Sequence, residues 1–339
     1  MLLGLTAAVF AVTAVWAGPP ETFVDRPSGL QKRLLDGAFD ELDAIAAGYI
    51  KSRARERGGD WAIIDFYDIL ARYDITSGPC QVKWGASFDE KRAAMERWIA
   101  AKPESATAKI ALANLWERYA WTGRGCGYAD ETSDAQWQAF HERLGRAHDL
   151  LKTVDHDADP QPYLTEMRVA ERDGDVKQEQ AHLYERASRA FPTVPNYATT
   201  RYYFLLPRWG GAEGEAGAFA KSLLAEPGGE TGLELYFDVA RTALTSERPY
   251  DTLLKVTGID YPTLVKAFAA RLAVFGPSTS DMNVLLYYAL AARDLKTADF
   301  LTKKIGKDWE RDYWRDQATY DSLLTWIRQW LLISSLMPR

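Results

Sequence analysis

The side chains of this sequence that could most simply bind a metal ion are its four histidines, His141, His148, His156 and His182. The first three are spaced by seven and eight residues, and residues seven apart share one face of a helix, so a metal site is one interpretation. Each of the three also precedes a carboxylate, and His156 is expected beyond the helix end. We therefore interpret the histidines as solvated polar residues, and we predict no metal ligand and no cofactor.

An acidic segment mimics a calcium-binding loop. Asp155, Asp157 and Asp159 alternate along it, and Glu166 stands at its twelfth position. The sixth position should be a glycine with positive φ, but it is Pro160, whose ring fixes φ near about −65°. We predict that the acids cap the start of a helix. Phosphate-binding glycine loops, GxSxG and HExxH are absent from the sequence, so no catalytic residue is predicted.

Two segments place aromatic residues beside an arginine and glycines, one around residues 116–125 and one around 202–211. Arginine can stack on an indole or pair with a partner's carboxylate, and glycine leaves the backbone accessible. Two interpretations stay open, namely an aromatic core that ends in a sharp helix stop, or a contact site for a ligand or protein. Under the second, the predicted partner-binding residues are Trp121, Arg124, Arg208, Trp209, Gly210 and Gly211.

Residues 1–17 contain no charged side chain and end with small residues at the −3 and −1 positions of a cleavage site after Ala17. This pattern predicts a signal peptide and a periplasmic or secreted protein. The alternatives are a buried first helix or an uncleaved anchor. In an oxidising compartment the two cysteines, Cys80 and Cys126, predict one disulfide, with two free thiols as the alternative.

The elements that must position these residues are helices. From residue 28 onward apolar residues recur at spacings of three and four, and Ser87 with Glu90 forms a capping-box pattern. The sequence has no sustained alternation of apolar and polar residues, so we predict no substantial sheet. Glycines crowd residues 209–232, so we predict two helical arrays, over 28–208 and 209–339. The last helix, Tyr320 to Leu336, is expected to cover the final exposed apolar face.

Short turns between helices indicate repeats. Pro160 and Pro192 are 32 residues apart, close to the tetratricopeptide period of about 34. Tyr184 and Ala187 stand before Pro192 where such repeats carry aromatic and small residues. The predicted fold is therefore all-α, a tetratricopeptide-like helix-turn-helix solenoid of divergent repeats.

The balance of charged residues limits the classes of partner that the protein could bind. Among 339 residues, 41 Lys and Arg face 47 Asp and Glu, a net charge of −6. Such a balance argues against a dedicated nucleic-acid binder, which needs a basic face. After removal of residues 1–17, we expect no membrane insertion of the mature chain. Tryptophan is abundant, at 12 residues, which favours buried contact area at a partner interface.

Three phrases carry a resemblance to a known family. They are Trp121…Arg124-Gly125, the helix Trp137…Phe140…Leu144…Ala147, and Leu206-Pro207-Arg208-Trp209-Gly210-Gly211. In them the sequence resembles a bacterial family of tetratricopeptide-like proteins catalogued as a domain of unknown function, over roughly residues 30 to 300. The resemblance implies a helical fold and no established activity, so it transfers no catalytic residue.

The sequence favours a non-enzymatic, exported helical-repeat protein that binds a protein or peptide partner in the cell envelope. A curved helical array presents an extended surface for a peptide or helix. The alternative is an envelope carbohydrate-binding protein or a glycoside-cleaving enzyme with a Trp-lined cleft. That alternative requires aromatic side chains that stack on sugars and, for cleavage, two carboxylates about 5–9.5 Å apart.

Overall fold

The computed structural model describes residues 23–25, 28–75, 83, 85–125, 131–170, 176–246, 250–314 and 316–336. Nearly all of these residues are helical, so the all-α fold class is confirmed. The described residues up to Arg201 form one compact unit, the N-terminal unit, and those from Tyr202 onward form a second, the C-terminal unit. No helix in the described ranges is long and apolar enough to cross a bilayer.

The N-terminal unit contains one pair of two-residue strands, β1 (Phe23–Val24) and β2 (Arg55–Glu56), which pair in parallel. All its other elements are helices. They are α1 Leu30–Asp36, α2 Phe39–Ser52, α3 Ala62–Ala71, α4 Phe88–Ala101, α5 Ala106–Arg124, α6 Asp134–Leu151, α7 Gln161–Val169, α8 Val176–Ala190 and α9 Pro195–Phe204, which contains the unit boundary.

Helix α4 begins where the sequence predicts. The Ser87 hydroxyl accepts from the Glu90 N–H, and the Glu90 carboxylate accepts from the Ser87 N–H at 2.8 Å, so two otherwise unpaired backbone donors are satisfied. Helix α5 begins with a similar cap, because the Ser105 hydroxyl accepts from the Ala108 N–H at 3.0 Å. The Ser105 cap ends the short turn between α4 and α5.

Three helices, α3, α5 and α7, form the core of the N-terminal unit. They pack on one another, and most of their side chains are buried. The other helices bury one stripe only, as α6 does with Phe140, Leu144 and Ala147. The core also contains polar side chains, and these are bonded. The Tyr67 hydroxyl donates to Asp159 at 2.7 Å, and the Gln161 amide donates to Thr165 at 3.0 Å.

A long-range contact joins the start of α3 to the turn between α8 and α9. The Trp61 indole N–H donates to the Thr193 carbonyl at 3.0 Å, across 132 residues of sequence. The Trp61 ring also meets Phe191 edge to face, with centroids 6.3 Å apart. An array in which each repeat contacts only its neighbours has no such contact. The N-terminal unit is therefore tied together at two distant points of its sequence.

The C-terminal unit is also helical. After a 3₁₀ turn at Pro207–Trp209 come α10 Glu215–Ser222, a π-helical turn Leu224–Gly228, α11 Gly229–Ser246, α12 Tyr250–Thr257, α13 Tyr261–Phe275, α14 Thr279–Ala291, α15 Leu295–Ile305, α16 Arg311–Trp314 and α17 Gln317–Leu336. The glycine-rich stretch that the sequence singles out thus holds one short helix and two irregular turns before α11 begins.

Buried charges hold α11, α13 and α14 together. Arg271 is only 1% exposed, and its guanidinium donates to Asp281 at 2.7 Å and to Asp238 at 3.2 Å. Arg241 bonds both aspartates as well. Two arginines and two aspartates therefore form a neutral network, which satisfies each buried carboxylate with cationic donors.

The last helix, α17, covers apolar surface on one side only. On that side its own residues Tyr320 and Ile327 are buried, as the sequence predicts for a closing helix. Trp326 and Trp330, however, keep 43% and 46% of their surface exposed. The closing helix therefore leaves an apolar stripe of its own uncovered by the described residues.

Candidate functional site

The first predicted segment lies inside the N-terminal unit. Arg124 is the last residue of α5 and is only 8% exposed. Its guanidinium lies 5.0 Å from the ring centre of Trp137, on α6, and 5.9 Å from that of Trp121. The Trp121 ring in turn meets Phe140 edge to face at 5.0 Å. In this arrangement Arg124 fills space between two helices, and its cation faces rings of its own chain.

The same segment contains a buried carboxyl group, that of Glu117. Glu117 lies one turn before Trp121 on α5 and is 5% exposed. Burial raises its pKa, whereas the charges of Arg168 and Arg118 and a hydrogen bond from Trp121 lower it. Residues 117–124 thus form a packed polar and aromatic seam.

The second predicted segment lies on the surface of the C-terminal unit. Arg208 is exposed, and its guanidinium lies 5.0 Å from the ring centre of Tyr203. Trp209 is half-buried, with its ring 5.3 Å from Tyr203 and 5.6 Å from Phe204. An exposed cation therefore lies over Tyr203, one ring of a three-ring cluster, an arrangement that restrains the guanidinium at the surface.

The glycines after Trp209 shape the turn that presents Arg208. Gly210 has a φ of 84°, in the left-handed region. At Gly211 a Cβ would lie 1.8 Å from the Leu205 carbonyl oxygen, so only glycine fits there. The Gly211 N–H donates to the Leu206 carbonyl at 3.2 Å and closes the turn. The Leu-Pro-Arg-Trp-Gly-Gly phrase thus encodes a tight stop after α9 with Arg208 at its outer side.

Two of the histidines meet one carboxylate in the folded chain. His148 Nδ1 lies 2.9 Å from Glu166 Oε1, and His156 Nε2 lies 4.0 Å from the same atom. Glu166 is nearly buried, on α7, so His148 is part of a polar contact between α6 and α7. No three His, Cys, Asp or Glu side chains of the described residues are grouped as metal ligands would be.

The aspartates of the acidic segment before α7 each accept hydrogen bonds from different donors, so they do not converge on one site. The Asp159 carboxylate accepts from the N–H of Gln161, the first residue of α7, at 2.8 Å, whereas the N-cap residue Pro160 makes no side-chain cap. The other carboxylate oxygen of Asp159 accepts from the Tyr67 hydroxyl, and burial raises the pKa of Asp159 to about 6. Asp157 accepts from the Tyr163 hydroxyl.

A groove of about 400 Å³ lies between α14, α16 and α17 of the C-terminal unit. Its lining residues are Leu290, Trp314, Thr319, Ser322, Leu323 and Trp326. Two indoles and two hydroxyls could contact an apolar or stacking ligand. The lining contains no carboxylate, so these residues do not supply the acid–base pair that glycoside cleavage uses.

Two predictions lie outside the described residues. These are the signal peptide of residues 1–17 and the disulfide between Cys80 and Cys126. Both remain predictions.

Two arginines of α6 lie over two aromatic rings of α5, and together they form a surface, the α5–α6 surface, that the sequence analysis did not single out. Arg143 lies over the ring of Tyr119, 3.8 Å from its centre, and Arg146 lies over Trp116 at 4.7 Å. Both arginines belong to α6 and both rings to α5. The spacing of three in each helix was the available signal, but nothing in the sequence pairs α5 with α6 in this register.

Comparisons of the chain with protein-family profiles, with curated proteins and with solved structures find no match. The likeness to a bacterial tetratricopeptide-like family therefore stands as a proposal. Function must be inferred from the side chains of this chain.

Proposed function

We propose that this protein is a non-enzymatic helical-repeat protein that is exported to the cell envelope and binds a protein or peptide partner there. Its helical hairpins, such as α4–α5, α8–α9 and α14–α15, are taken as divergent tetratricopeptide-type repeats of the family that the sequence resembles. Consecutive helices joined by turns of three or four residues support this interpretation. Paired helices of this kind typically offer a groove for a peptide or a helix.

The observation that carries the proposal is the exposed Arg208 on the ring cluster of Tyr203, Phe204 and Trp209. Arginine and tryptophan are the residues that most often dominate binding energy at protein interfaces. Here Phe204 is buried, Tyr203 and Trp209 are half-buried, and the turn is closed by Gly211, so little conformational entropy is lost when a partner binds. Trp121 and Arg124 contribute to the proposal by holding α5 and α6 in place.

Affinity capture from the native envelope tests the proposal. Wild-type protein and an Arg208→Ala, Trp209→Ala double variant are used as bait, and captured proteins are quantified by mass spectrometry. The expected result is a partner that is retained by the wild type and lost with the double variant, while the circular dichroism spectra agree. Because Trp209 contacts two rings, Arg208→Ala alone is included as a variant that leaves the ring cluster intact.

Arg328→Ala is the matched control, because Arg328 is an exposed arginine of the same unit, on α17. Capture that is equal for wild type, Arg208→Ala and Arg328→Ala would exclude the Arg208 surface as the binding site. A partner that depends on Arg208 but not on Arg328 would support it.

Export and the disulfide are tested on the same purified material. The mass of the mature chain should place its first residue at Gly18, and non-reducing digestion should release a peptide that links Cys80 to Cys126. Two thiols that react with iodoacetamide before reduction would contradict the disulfide.

A further inference from the structure

The α5–α6 surface of the N-terminal unit carries two guanidiniums on two aromatic rings. Tyr119 is sandwiched, because Phe88 stacks on it with centroids 3.7 Å apart and planes 14° apart, while Arg143 lies 3.8 Å from its centre. Beside this stack, Arg146 lies over Trp116. A guanidinium that lies over a ring can still use its remaining N–H groups to bind a carboxylate.

Arg143 differs from its neighbours in its bonding. Arg146 pairs with Glu142 at 2.7 Å, and Arg118 pairs with Asp68. Within the described ranges Arg143 has no such carboxylate, and its hydrogen-bond acceptor is the Tyr119 carbonyl at 3.2 Å. Since a guanidinium has five N–H donors, the half-buried Arg143 can still bind an outside anion.

The position of Arg143 depends on a glycine. A Cβ at Gly123, on α5, would lie 1.7 Å from the Arg143 Nη1 atom. Any other residue at position 123 would force the Arg143 guanidinium to shift from this position. Gly123 lies within α5, where glycine is unfavourable by about 1 kcal/mol relative to alanine. The absence of a side chain therefore makes room for the arginine at a cost in helix propensity.

The local field is positive, although the chain carries a net charge of −6. Arg72 and Arg118 share Asp68, and Arg146 pairs with Glu142, so three guanidiniums form ion pairs with two carboxylates while Arg143 adds a fourth positive charge. Beneath them Lys91 is buried, and its amine donates to the Leu70 carbonyl at 2.9 Å. Arg118 and Arg72 add to burial in lowering the pKa of Lys91, and Asp74 opposes them.

We propose that Arg143, with Arg146 and Arg118, forms an anchor for carboxylate side chains of an acidic peptide segment in the partner. Complementary charge favours such a segment over a basic one, and the half-buried Phe88 ring offers apolar surface to its methylene groups. The inference rests on the proposed partner-binding function and names the chemistry of that partner.

The test uses a fluorescein-labelled hexaglutamate peptide and the full-length chain, with fluorescence anisotropy as the readout. The wild type should bind hexaglutamate, hexalysine should not bind, and added salt should weaken the complex. Arg143→Gln should weaken binding by about tenfold or more, as expected for loss of a charge-assisted pair. Arg92→Gln is the matched control, since Arg92 lies on α4 and is already paired with Glu96 at 2.8 Å.

Gly123→Ala separates position from charge. The variant keeps every arginine and should leave the melting temperature unchanged or raised, because alanine favours the helix. It should nevertheless weaken hexaglutamate binding, because the new methyl group displaces the Arg143 guanidinium. Loss of binding without loss of stability cannot be explained by unfolding.

Three results would overturn the anchor. They are no binding of hexaglutamate by the wild type, equal weakening by Arg143→Gln and Arg92→Gln, and full binding by Gly123→Ala. If one of these occurs while the Arg208-dependent partner is still captured from the envelope, the anchor fails and the proposed function stands. If hexaglutamate binds through Arg143 while no envelope partner is captured, the anchor stands and the Arg208 surface fails.

Discussion

The two segments that share arginine, tryptophan and glycine have opposite environments. In the N-terminal unit Arg124 is 8% exposed and lies between rings from two helices. In the C-terminal unit Arg208 is exposed, and the rings beside it come from α9 and the turn that follows. The comparison teaches that similar local composition encodes an internal packing element in one place and a surface contact in the other, depending on whether the next helix crosses the segment.

The largest effect should come from Arg124→Ala. The substitution removes a buried guanidinium and leaves a gap between Trp121 and Trp137, so we expect a loss of about 2–4 kcal/mol in the free energy of unfolding. Urea unfolding followed by near-UV circular dichroism measures it.

Arg124→Lys refines the comparison, because lysine keeps the charge but cannot lie flat between the indoles. It should recover less than half of the lost stability. A loss below about 0.5 kcal/mol for Arg124→Ala would place this arginine in the same class as an exposed one.

The turn glycines should give the next largest effect. Gly211→Ala forces a methyl group against the Leu205 carbonyl and should cost about 2–3 kcal/mol, since backbone on both sides must move. Gly210→Ala meets no atom within 4 Å and only strains a φ of 84°, so it should cost about 1–2 kcal/mol. Thermal unfolding of the two variants side by side checks the order. An equal loss of stability for the two variants would mean that the backbone around Leu205 moves away from a side chain at position 211 at little cost in free energy.

A pH series extends the comparison to buried carboxyls. Asp159 in the N-terminal unit is bonded by neutral donors, and its pKa is raised from 3.8 to about 6 by burial. Because the folded state then binds a proton more tightly than the unfolded state, this group lowers stability as pH rises from about 4 to about 6. Two pKa units correspond to at most about 3 kcal/mol.

Asp159→Asn removes the titration and tests this sign. The stability of the wild type relative to Asp159→Asn should fall by about 1–3 kcal/mol between pH 4 and pH 7. A difference that stays constant with pH would contradict the raised pKa of Asp159. Asp159→Asn is the baseline for the wild type, because all other carboxyls are the same in both proteins and cancel in the difference.

The smallest effect should come from Arg208→Ala. An exposed guanidinium over one ring contributes about 0.5–1 kcal/mol at most, so the melting curve should barely move. The same substitution should still abolish partner capture. A stability loss as large as that of Arg124→Ala would remove the contrast between the two segments.

Local sequence signals determined much of the fold. The capping box at Ser87 and Glu90 and the closing helix up to Leu336 both follow from the local pattern, because caps and periodicity act over a few residues. The hydrogen bond that Asp159 accepts from the first N–H of α7 is local as well, because it spans only two residues.

Contacts across the chain were not predictable in this way. The burial of Arg124 depends on Trp137 from the next helix, and the bond from Tyr67 to Asp159 spans 92 residues. The placement of Arg143 on Tyr119 depends on how far α6 slides along α5. A one-turn slide would leave the helical pattern of both segments unchanged while separating the arginine from its ring.

The clasp between Trp61 and Thr193 has a consequence for how the N-terminal unit can come apart. A stack of hairpins can fray from one end and lose its last member while the rest survives. Because the start of α3 is bonded to the turn between α8 and α9, the last hairpin cannot detach from this unit without breaking that contact. We therefore expect the described helices of this unit to resist stepwise proteolysis from residue 190 onward, and we expect Trp61→Phe, which removes the indole N–H donor and part of the ring, to weaken that resistance.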